Sequence, residues 1–217
     1  EAALHLERVP GGAHGQPTPD GPVACGTTAS PFLIHCGHED AAGALLQWLY
    51  APPGQPALTP ATPRAGGLRR FDQRPYRQAS GFDGLDDSGW LYVPAACEAA
   101  GSGCRLHIVF HGCAQGQSYQ GSAASPIGQR FVAGAGYNRW AEGNRIVVLY
   151  PQVRPSTLPT AAVLSGRQYQ LNPDGCWDFW GYTDPNGDIN GVERRFARRS
   201  APQLRAVKAM ADALLAP

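Results

Sequence analysis

The chain has 217 residues, 43% of them hydrophobic, which is enough for one domain of ordinary size with a sizeable core. Its 18 basic and 17 acidic residues leave a net charge of +1, and neither sign runs in a block, which argues against nucleic acid or anionic membrane as the main partner. No apolar run approaches the ~20 residues of a membrane span, and although 27 glycines and 20 prolines mark a loop-rich chain, five Trp and eight Tyr argue for packing rather than disorder.

The opening, EAALHLERV, lacks a charged leader and an apolar core, so it does not read as a signal peptide. A secreted protein would have lost one, and an internal cut would leave the same kind of start. Residues 1 to 9 read as a short strand running into the turn PGGAHG, and residues 15 to 37 as Pro/Gly/Thr-rich loop. HEDAAGALLQWLY (38 to 50) carries Ala41, Ala44, Leu45, Trp48 and Leu49 at helical spacing. Residues 51 to 67 are punctuated by prolines and read as a surface connector. GWLYVP (89 to 94) and RLHIVFHG (105 to 112) read as neighbouring strands joined by a short loop. Residues 126 to 143 predict a helix followed by a broken second turn, and RIVVLYPQ (145 to 152) a strand buried on both faces. Residues 153 to 175 read as loop. The last stretch, 201 to 215, predicts an amphipathic helix with Leu204, Val207, Ala211 and Leu214 on one face. Strands and helices alternate from 105 onward, which predicts an α/β domain with a mainly parallel sheet.

Six cysteines, an even number with no zinc-type C-x-x-C, point to disulfides and an oxidising compartment. The preferred pairs are Cys25–Cys36 across a short loop, Cys97–Cys104 around EAAGSG, and the remaining Cys113–Cys176. In the chain-entropy model the last of these is worth about 4 kcal/mol. Six cysteines allow 15 connectivities, and buried free thiols are the alternative.

His111-Gly112-Cys113 follows directly on the apolar strand LHIVF. Glycine there lets the backbone turn tightly enough to aim N–H groups at a developing negative charge. A nucleophile in G-x-S-x-G would be expected to follow, and the sequence has none. The nearest run, Gly116-Gln117-Ser118-Tyr119-Gln120, lacks the closing glycine and does not follow a strand, so Ser118 reads as a loop serine. His14 stands in the loop Gly11-Gly12-Ala13-His14-Gly15, an exposed, glycine-flanked tip of the kind a catalytic histidine uses. His35 and His38 flank Cys36 without a third ligand, which gives no case for a metal.

HGCAQ, GYNRWAEGNRIVVLYPQ and NPDGCWDFWGYT, in this order, closely resemble the extracellular poly(3-hydroxyalkanoate) depolymerases, serine esterases of the α/β-hydrolase fold. The segment GGAHGQPTPDGPVACGTTASPFLIHCGHEDAAGALLQWLY resembles a circularly permuted group among them, in which the histidine segment precedes the HGC segment. The resemblance implies one α/β-hydrolase catalytic domain portion over 1–217, with a histidine segment at 1–50, a connector at 51–80 and an oxyanion-hole segment at 81–217. It also implies that the nucleophile and acid segments lie outside this chain, in a complementary N-terminal segment or chain carrying Ser and Asp, so that the sheet is incomplete here.

Carried over by position, the resemblance makes His14 the general base of a Ser-His-Asp triad and gives the Cys113 N–H to the oxyanion hole. It bonds the Cys113 sulfur to Cys176 and sets Trp177, Trp180 and Tyr182 against the substrate, with Phe179 where the family usually carries Trp. The implied activity is hydrolysis of poly(3-hydroxybutyrate) or a related aliphatic polyester, outside the cell, with no cofactor and no metal. A feruloyl-type or small-ester esterase, and an inactive polymer-binding module, are the competing readings.

Overall fold

The computed structural model describes residues 4, 6–77, 83–99, 101–121, 123–156, 171–183 and 194–216. In chain order the elements are β1 (Gln16–Pro17), β2 (Val23–Ala24), β3 (Leu33–His35), α1 (Ala41–Tyr50), β4 (Leu68–Asp72), β5 (Ser88–Tyr92), β6 (Arg105–Ile108), α2 (Arg130–Gly134), α3 (Tyr137–Asn144), β7 (Ile146–Tyr150) and α4 (Pro202–Leu215). Short 3-10 turns stand at Arg74–Tyr76, Ala95–Cys97 and Arg195–Ala197. The chain divides into two compact units. The first holds Glu1–Arg69, Leu91–His107 and Gln129–Val148, and the second Arg70–Trp90, Ile108–Gly128 and Leu149–Pro217.

Two sheets form. The smaller has the order β1-β3-β2 with both pairs parallel, and the larger the order β4-β5-β7-β6. Hydrogen bonds at the strand ends give the directions in the larger one. Val93 N–H bonds Gly67 O while Gln73 N–H bonds Asp87 O, so β4 and β5 run antiparallel. Leu85 and Val153 form an antiparallel bridge just before β5 and just after β7. Arg105 N–H bonds Arg145 O and Val109 N–H bonds Leu149 O, so β6 and β7 run parallel.

The larger sheet is therefore mixed, which corrects the expectation of a mainly parallel one. A second correction concerns β5 and β6, which are not neighbours, because β7 lies between them. The linker around Cys97–Cys104 is long enough to step over a strand ~4.8 Å wide. β7 is as buried as its apolar run predicts, with Ile146, Val148, Leu149 and Tyr150 all at 1% exposure or less.

Residues 15–37, read as loop, hold all three strands of the smaller sheet, each only two or three residues long. Leu4 and Leu6–Val9 form no strand. β4 and the turn Arg74–Tyr76 fall inside the connector expected over 51–80.

Within the first unit, Asp40 is the central polar node. It caps α1, accepting from Gly43 N–H through Oδ1, and its Oδ2 accepts from Trp140 Nε1 at 2.6 Å and Arg139 at 2.7 Å. α1 and α3 are thereby tied through one carboxylate. A methyl group on Gly43 would come within 2.6 Å of the Trp140 indole, so only glycine permits this approach. The break foreseen within 126–143 is real. Gly136, at φ +89°, separates α2 from α3 in a left-handed conformation. The proline-rich stretch is held by amide side chains: Leu58 N–H donates to Gln47 Oε1, and Thr59 exchanges two bonds with Asn144.

Within the second unit, α4 turns a different face inward from the one predicted. Gln203, Ala206, Val207 and Met210 are buried, whereas Leu204 and Leu214 are more than 40% exposed. The buried positions follow the i, i+3, i+4, i+7 rule, but one of them is an amide whose hydrogen bonds make it a core residue.

Asp40→Ala removes a helix cap and leaves the Arg139 and Trp140 donors unpaired. It should cost about 2–4 kcal/mol, combining a cap of ~1 kcal/mol with ~1–3 kcal/mol for the stranded donors. Asp40→Asn keeps an acceptor for the cap and should cost roughly half as much. Urea unfolding of the three proteins measures this, and equal stability of Asp40→Ala and wild type would refute the role of the node.

Candidate active site

The HGC turn follows β6 after Val109 and Phe110, and the order of its hydrogen bonds decides what it presents. His111 is 2% exposed. Its Nδ1 lies 2.8 Å from Gly112 O and its Nε2 3.1 Å from Val153 N. Burial pushes the ring pKa down to about 4, against the opposing pull of the Gly112 carbonyl and of Asp86, so the imidazole is neutral at pH 7. A neutral ring has one donor and one acceptor. The Val153 N–H can only donate, so Nε2 accepts and Nδ1–H donates to Gly112 O.

The bond to Gly112 O fixes the peptide plane between Gly112 and Cys113. In a trans peptide the C=O and the N–H point in opposite directions. Holding Gly112 O on the buried ring therefore turns the Cys113 N–H away from it. The flanking N–H groups are engaged: Gly112 N–H donates to Gln115 Oε1 at 2.7 Å, and Ala114 N–H to Asp174 O at 2.7 Å. Among the described residues the Cys113 N–H has no partner, and Cys113 is exposed.

Behind the turn stand three buried amide side chains. Gln117 N–H donates to Gln152 Oε1, Gln152 N–H to Gln73 Oε1, and Gln73 Nε2 to both Asp86 O and Gln152 O. Gln117 Nε2 also bonds Ser88 O, and Gln117 Oε1 accepts from Trp90 Nε1. All three glutamines are 7% exposed or less, and burial at that depth requires such saturation. The residues after the turn are thus fixed to β5 and to the end of β7.

Cys113 and Cys176 are bonded, as are Cys25–Cys36 and Cys97–Cys104, so all three preferred pairs form. Asn172, wholly buried, holds Cys176 by exchanging two bonds with its backbone. The loop beyond it is organised by Asp178. Its Oδ1 accepts from the N–H groups of Trp180, Gly181 and Tyr182, and its Oδ2 from Thr183 N–H and Oγ1–H.

The aromatic residues of this segment differ in placement. Trp177 packs edge-on against Phe110 at 4.8 Å and lies 5.7 Å from the His111 ring, with its Nε1–H buried and without a partner among the described residues. Trp180 is half-buried between Phe179 and Tyr182, at 4.5 and 4.8 Å. Phe110 and Phe179 are 48% and 65% exposed. Tyr182 is 1% exposed, and its hydroxyl donates to Cys176 O and accepts from Gln203 Nε2. Burial pushes the Tyr182 hydroxyl pKa up, so it remains a protonated donor.

Ser118 is also in the second unit. Its hydroxyl donates to Asp86 Oδ2 at 2.5 Å. The nearby imidazole, His111, has both nitrogens committed elsewhere.

His14 belongs to the first unit. Its N–H donates to Thr28 Oγ1, and its exposed ring stands edge-on to Phe32 at 6.0 Å. The backbone around it is pinned on both sides: Ala13 N–H bonds Cys25 O and Gln16 N–H bonds Phe32 O. Cys36 is in a disulfide, His35 Nδ1 lies 2.6 Å from Pro19 O, and His38 is exposed. Among the described residues no group of three or more His, Cys, Asp or Glu is placed to hold a metal ion, and no helix is long and apolar enough to cross a membrane.

Sequence reasoning did not find Gln115, Gln117, Asp178 or Gln203, because an amide or carboxylate that bonds a backbone several residues away leaves no periodic trace.

No family model matches the chain. A poly(3-hydroxybutyrate) depolymerase of Delftia acidovorans is 37% identical over 200 residues, covering 92% of this chain and 33% of that protein. A polyhydroxybutyrate depolymerase of Talaromyces funiculosus is 37% identical over 174 residues, covering 80% of this chain and 47% of that one. Among solved structures, a PHB depolymerase in which a serine is replaced by alanine, complexed with an R3HB trimer, superposes with a TM-score of 0.70 at 30% identity. That match covers 93% of this chain and 57% of the other. It supports an α/β-hydrolase-like fold for the mixed sheet and its helices. The resemblance to poly(3-hydroxybutyrate) depolymerases read in the sequence therefore holds: this chain is similar to them along most of its own length and along about a third to somewhat more than half of theirs.

Proposed function

We propose that this chain supplies the histidine and the oxyanion turn of a secreted serine esterase that hydrolyses poly(3-hydroxybutyrate) or a related aliphatic polyester. The observation that carries this reading is the Cys113 N–H, unpartnered among the described residues and exposed on a turn held from every side, beside an aromatic segment bonded to it through Cys176. The circularly permuted order, histidine segment before oxyanion segment, is part of the reading. So is a serine and carboxylate supplied by residues outside these 217. Three features support that part: the absence of G-x-S-x-G, the commitment of Ser118 to Asp86, and the length of the relatives, of which this chain spans about half or less in the curated cases. Three disulfides support secretion.

In this reading His14 takes the proton from the serine hydroxyl as its oxygen attacks the ester carbonyl carbon. The carbonyl oxygen becomes an oxyanion and accepts from the Cys113 N–H. The tetrahedral intermediate collapses, the alkoxide of the departing chain end receives the proton from His14, and an acyl-serine remains. Water, deprotonated by the same histidine, releases the acid. No cofactor enters. Trp177, Trp180, Phe110 and Phe179 offer flat apolar surface to methyl-bearing repeats. Tyr182 supports that surface from beneath. This exposed aromatic area favours a polyester over small or feruloyl-type esters. Clearing of polymer films against hydrolysis of a soluble p-nitrophenyl ester tests the choice.

In the protein that hydrolyses the ester, His14→Ala should lower kcat by roughly 10⁴ or more while leaving polymer adsorption nearly unchanged. A fluorophosphonate probe should label a serine outside residues 1–217. Labelling of Ser118 in the 217-residue chain alone, or full hydrolysis by His14→Ala, would sink the assignment.

His111 generates a separate expectation for pH. Its folded pKa of about 4 lies below the ordinary value of about 6.5, so the unfolded chain binds a proton that the folded chain does not. Its contribution to stability is complete above pH ~6.5 and is lost progressively as pH falls toward 4. The difference in melting temperature between wild type and His111→Gln should therefore shrink between pH 7 and pH 4.5. A constant difference would show that the ring is not held neutral.

A further inference from the structure

The turn has three consecutive N–H groups, at Gly112, Cys113 and Ala114, and presents one. The Ala114 N–H is held by a backbone carbonyl, Asp174 O, but the Gly112 N–H is held by a side chain, Gln115 Oε1 at 2.7 Å. Gln115 is 8% exposed, and a methyl group on Gly112 would come within 2.8 Å of the same Oε1, so the amide is packed directly over the Gly112 backbone. The Gly112–Cys113 peptide is thus clamped through Gly112 O by the His111 ring and the Gln115 N–H, the peptide before it by Gln115 Oε1 on the Gly112 N–H, and the peptide after Cys113 by Asp174 O. Rotation of the Gly112–Cys113 peptide would have to break the bonds of the His111 ring and of the Gln115 N–H to Gly112 O together, while Gln115 Oε1 anchors the peptide that precedes it.

We propose that Gln115 is a positioning residue of this esterase site: its side-chain carbonyl holds the Gly112 N–H out of the way and fixes the Cys113 N–H as the donor to the oxyanion. This rests on the reading of the Cys113 N–H given above. A neutral amide suits the task better than a carboxylate. Either accepts from Gly112 N–H, but a carboxylate sets a fixed negative charge a few ångströms from the place where negative charge develops. The amide gives the geometry without that opposition.

Two variants and two readouts test it. Amide hydrogen exchange in the 217-residue chain needs no catalysis. Gly112 and Ala114 should exchange about tenfold or more slowly relative to Cys113, and Gln115→Met, close in shape but lacking the acceptor, should release Gly112 alone. In the protein that hydrolyses a p-nitrophenyl ester, Gln115→Met should lower kcat on the order of 10-fold to 100-fold with KM nearly unchanged. Gln115→Glu keeps an acceptor, so slow exchange at Gly112 and the melting temperature should survive, yet kcat should fall at neutral pH and recover in part as the new carboxylate is protonated. A merely structural glutamine would let Gln115→Glu behave as wild type. Equal exchange at Gly112 and Cys113 in the wild-type chain would overturn the clamp. An intact clamp with unchanged kcat in both variants would overturn the positioning role and leave the proposed function standing. An intact clamp with no ester hydrolysis by the wild-type protein would overturn the proposed function, and this role with it.

Discussion

The hydrogen bond from His111 Nδ1–H to Gly112 O sets one peptide plane, and most of the second unit is arranged to keep that bond in place. A bond from a residue to its own neighbour has little reach of its own, and in water the ring would rotate away. Burial prevents this, and burial has consequences. The ring must be neutral, its second nitrogen must find a donor, and the donor must be rigid. Val153 N–H meets these demands because it directly follows the segment in which Gln152 is fixed by Gln73 and Gln117. The glutamine lattice is thus the support for the imidazole, and the imidazole is the support for the turn.

The second support is covalent. The Cys113–Cys176 bond ties the turn to a loop that has almost no regular structure, and such a loop would transmit little order unless it were itself fixed. Asn172 fixes it at one end and Asp178, with five accepted hydrogen bonds, at the other. Gln203 on α4 then joins three parts of the unit: it donates to Asp83 O and the Tyr182 hydroxyl and accepts from Asp178 N–H. This explains why α4 buries a glutamine where its sequence offers leucines. The helix is oriented by polar partners that only this residue can satisfy, and Leu204 and Leu214 are left on the outer side.

What the sequence revealed follows the same division. β7, α1, the break at Gly136 and the pairs Cys25–Cys36 and Cys97–Cys104 were legible because apolar periodicity, glycine placement and loop closure are local signals, whereas Cys113–Cys176, 63 residues apart, followed only as the remaining pair and from the family resemblance. The smaller sheet was not. Strands of two or three residues are too short for alternation to show, and their pairing is set by glycines that let backbones approach, such as Gly21 against Ile34. The position of β6 was missed because adjacency in sequence usually means adjacency in the sheet, and a linker of this length relaxes that rule. At the site, the HGC turn was visible through Gly112, while the side chains that orient it were not: Gln115 and Gln117 read as polar loop residues until their burial is known.

The side chains that hold the turn and the lattice behind it are mostly neutral. His111 is held uncharged, and Gln73, Gln115, Gln117, Gln152 and Asn172 are amides. Asp86 sits at the edge of this set, engaged by the Ser118 hydroxyl and Asp87 N–H. Two unit charges 5 Å apart interact by about 3 kcal/mol at an effective dielectric of ~20. A fixed negative charge at that range from a developing oxyanion would cancel much of what one backbone donor contributes, which is about 3–4 kcal/mol. A fixed positive charge would hold ordinary anions in the ground state as well as the oxyanion in the transition state. Neutral dipoles avoid both effects. They orient a single N–H without adding a field of their own, so the stabilisation it gives is felt mainly as charge appears on the substrate oxygen.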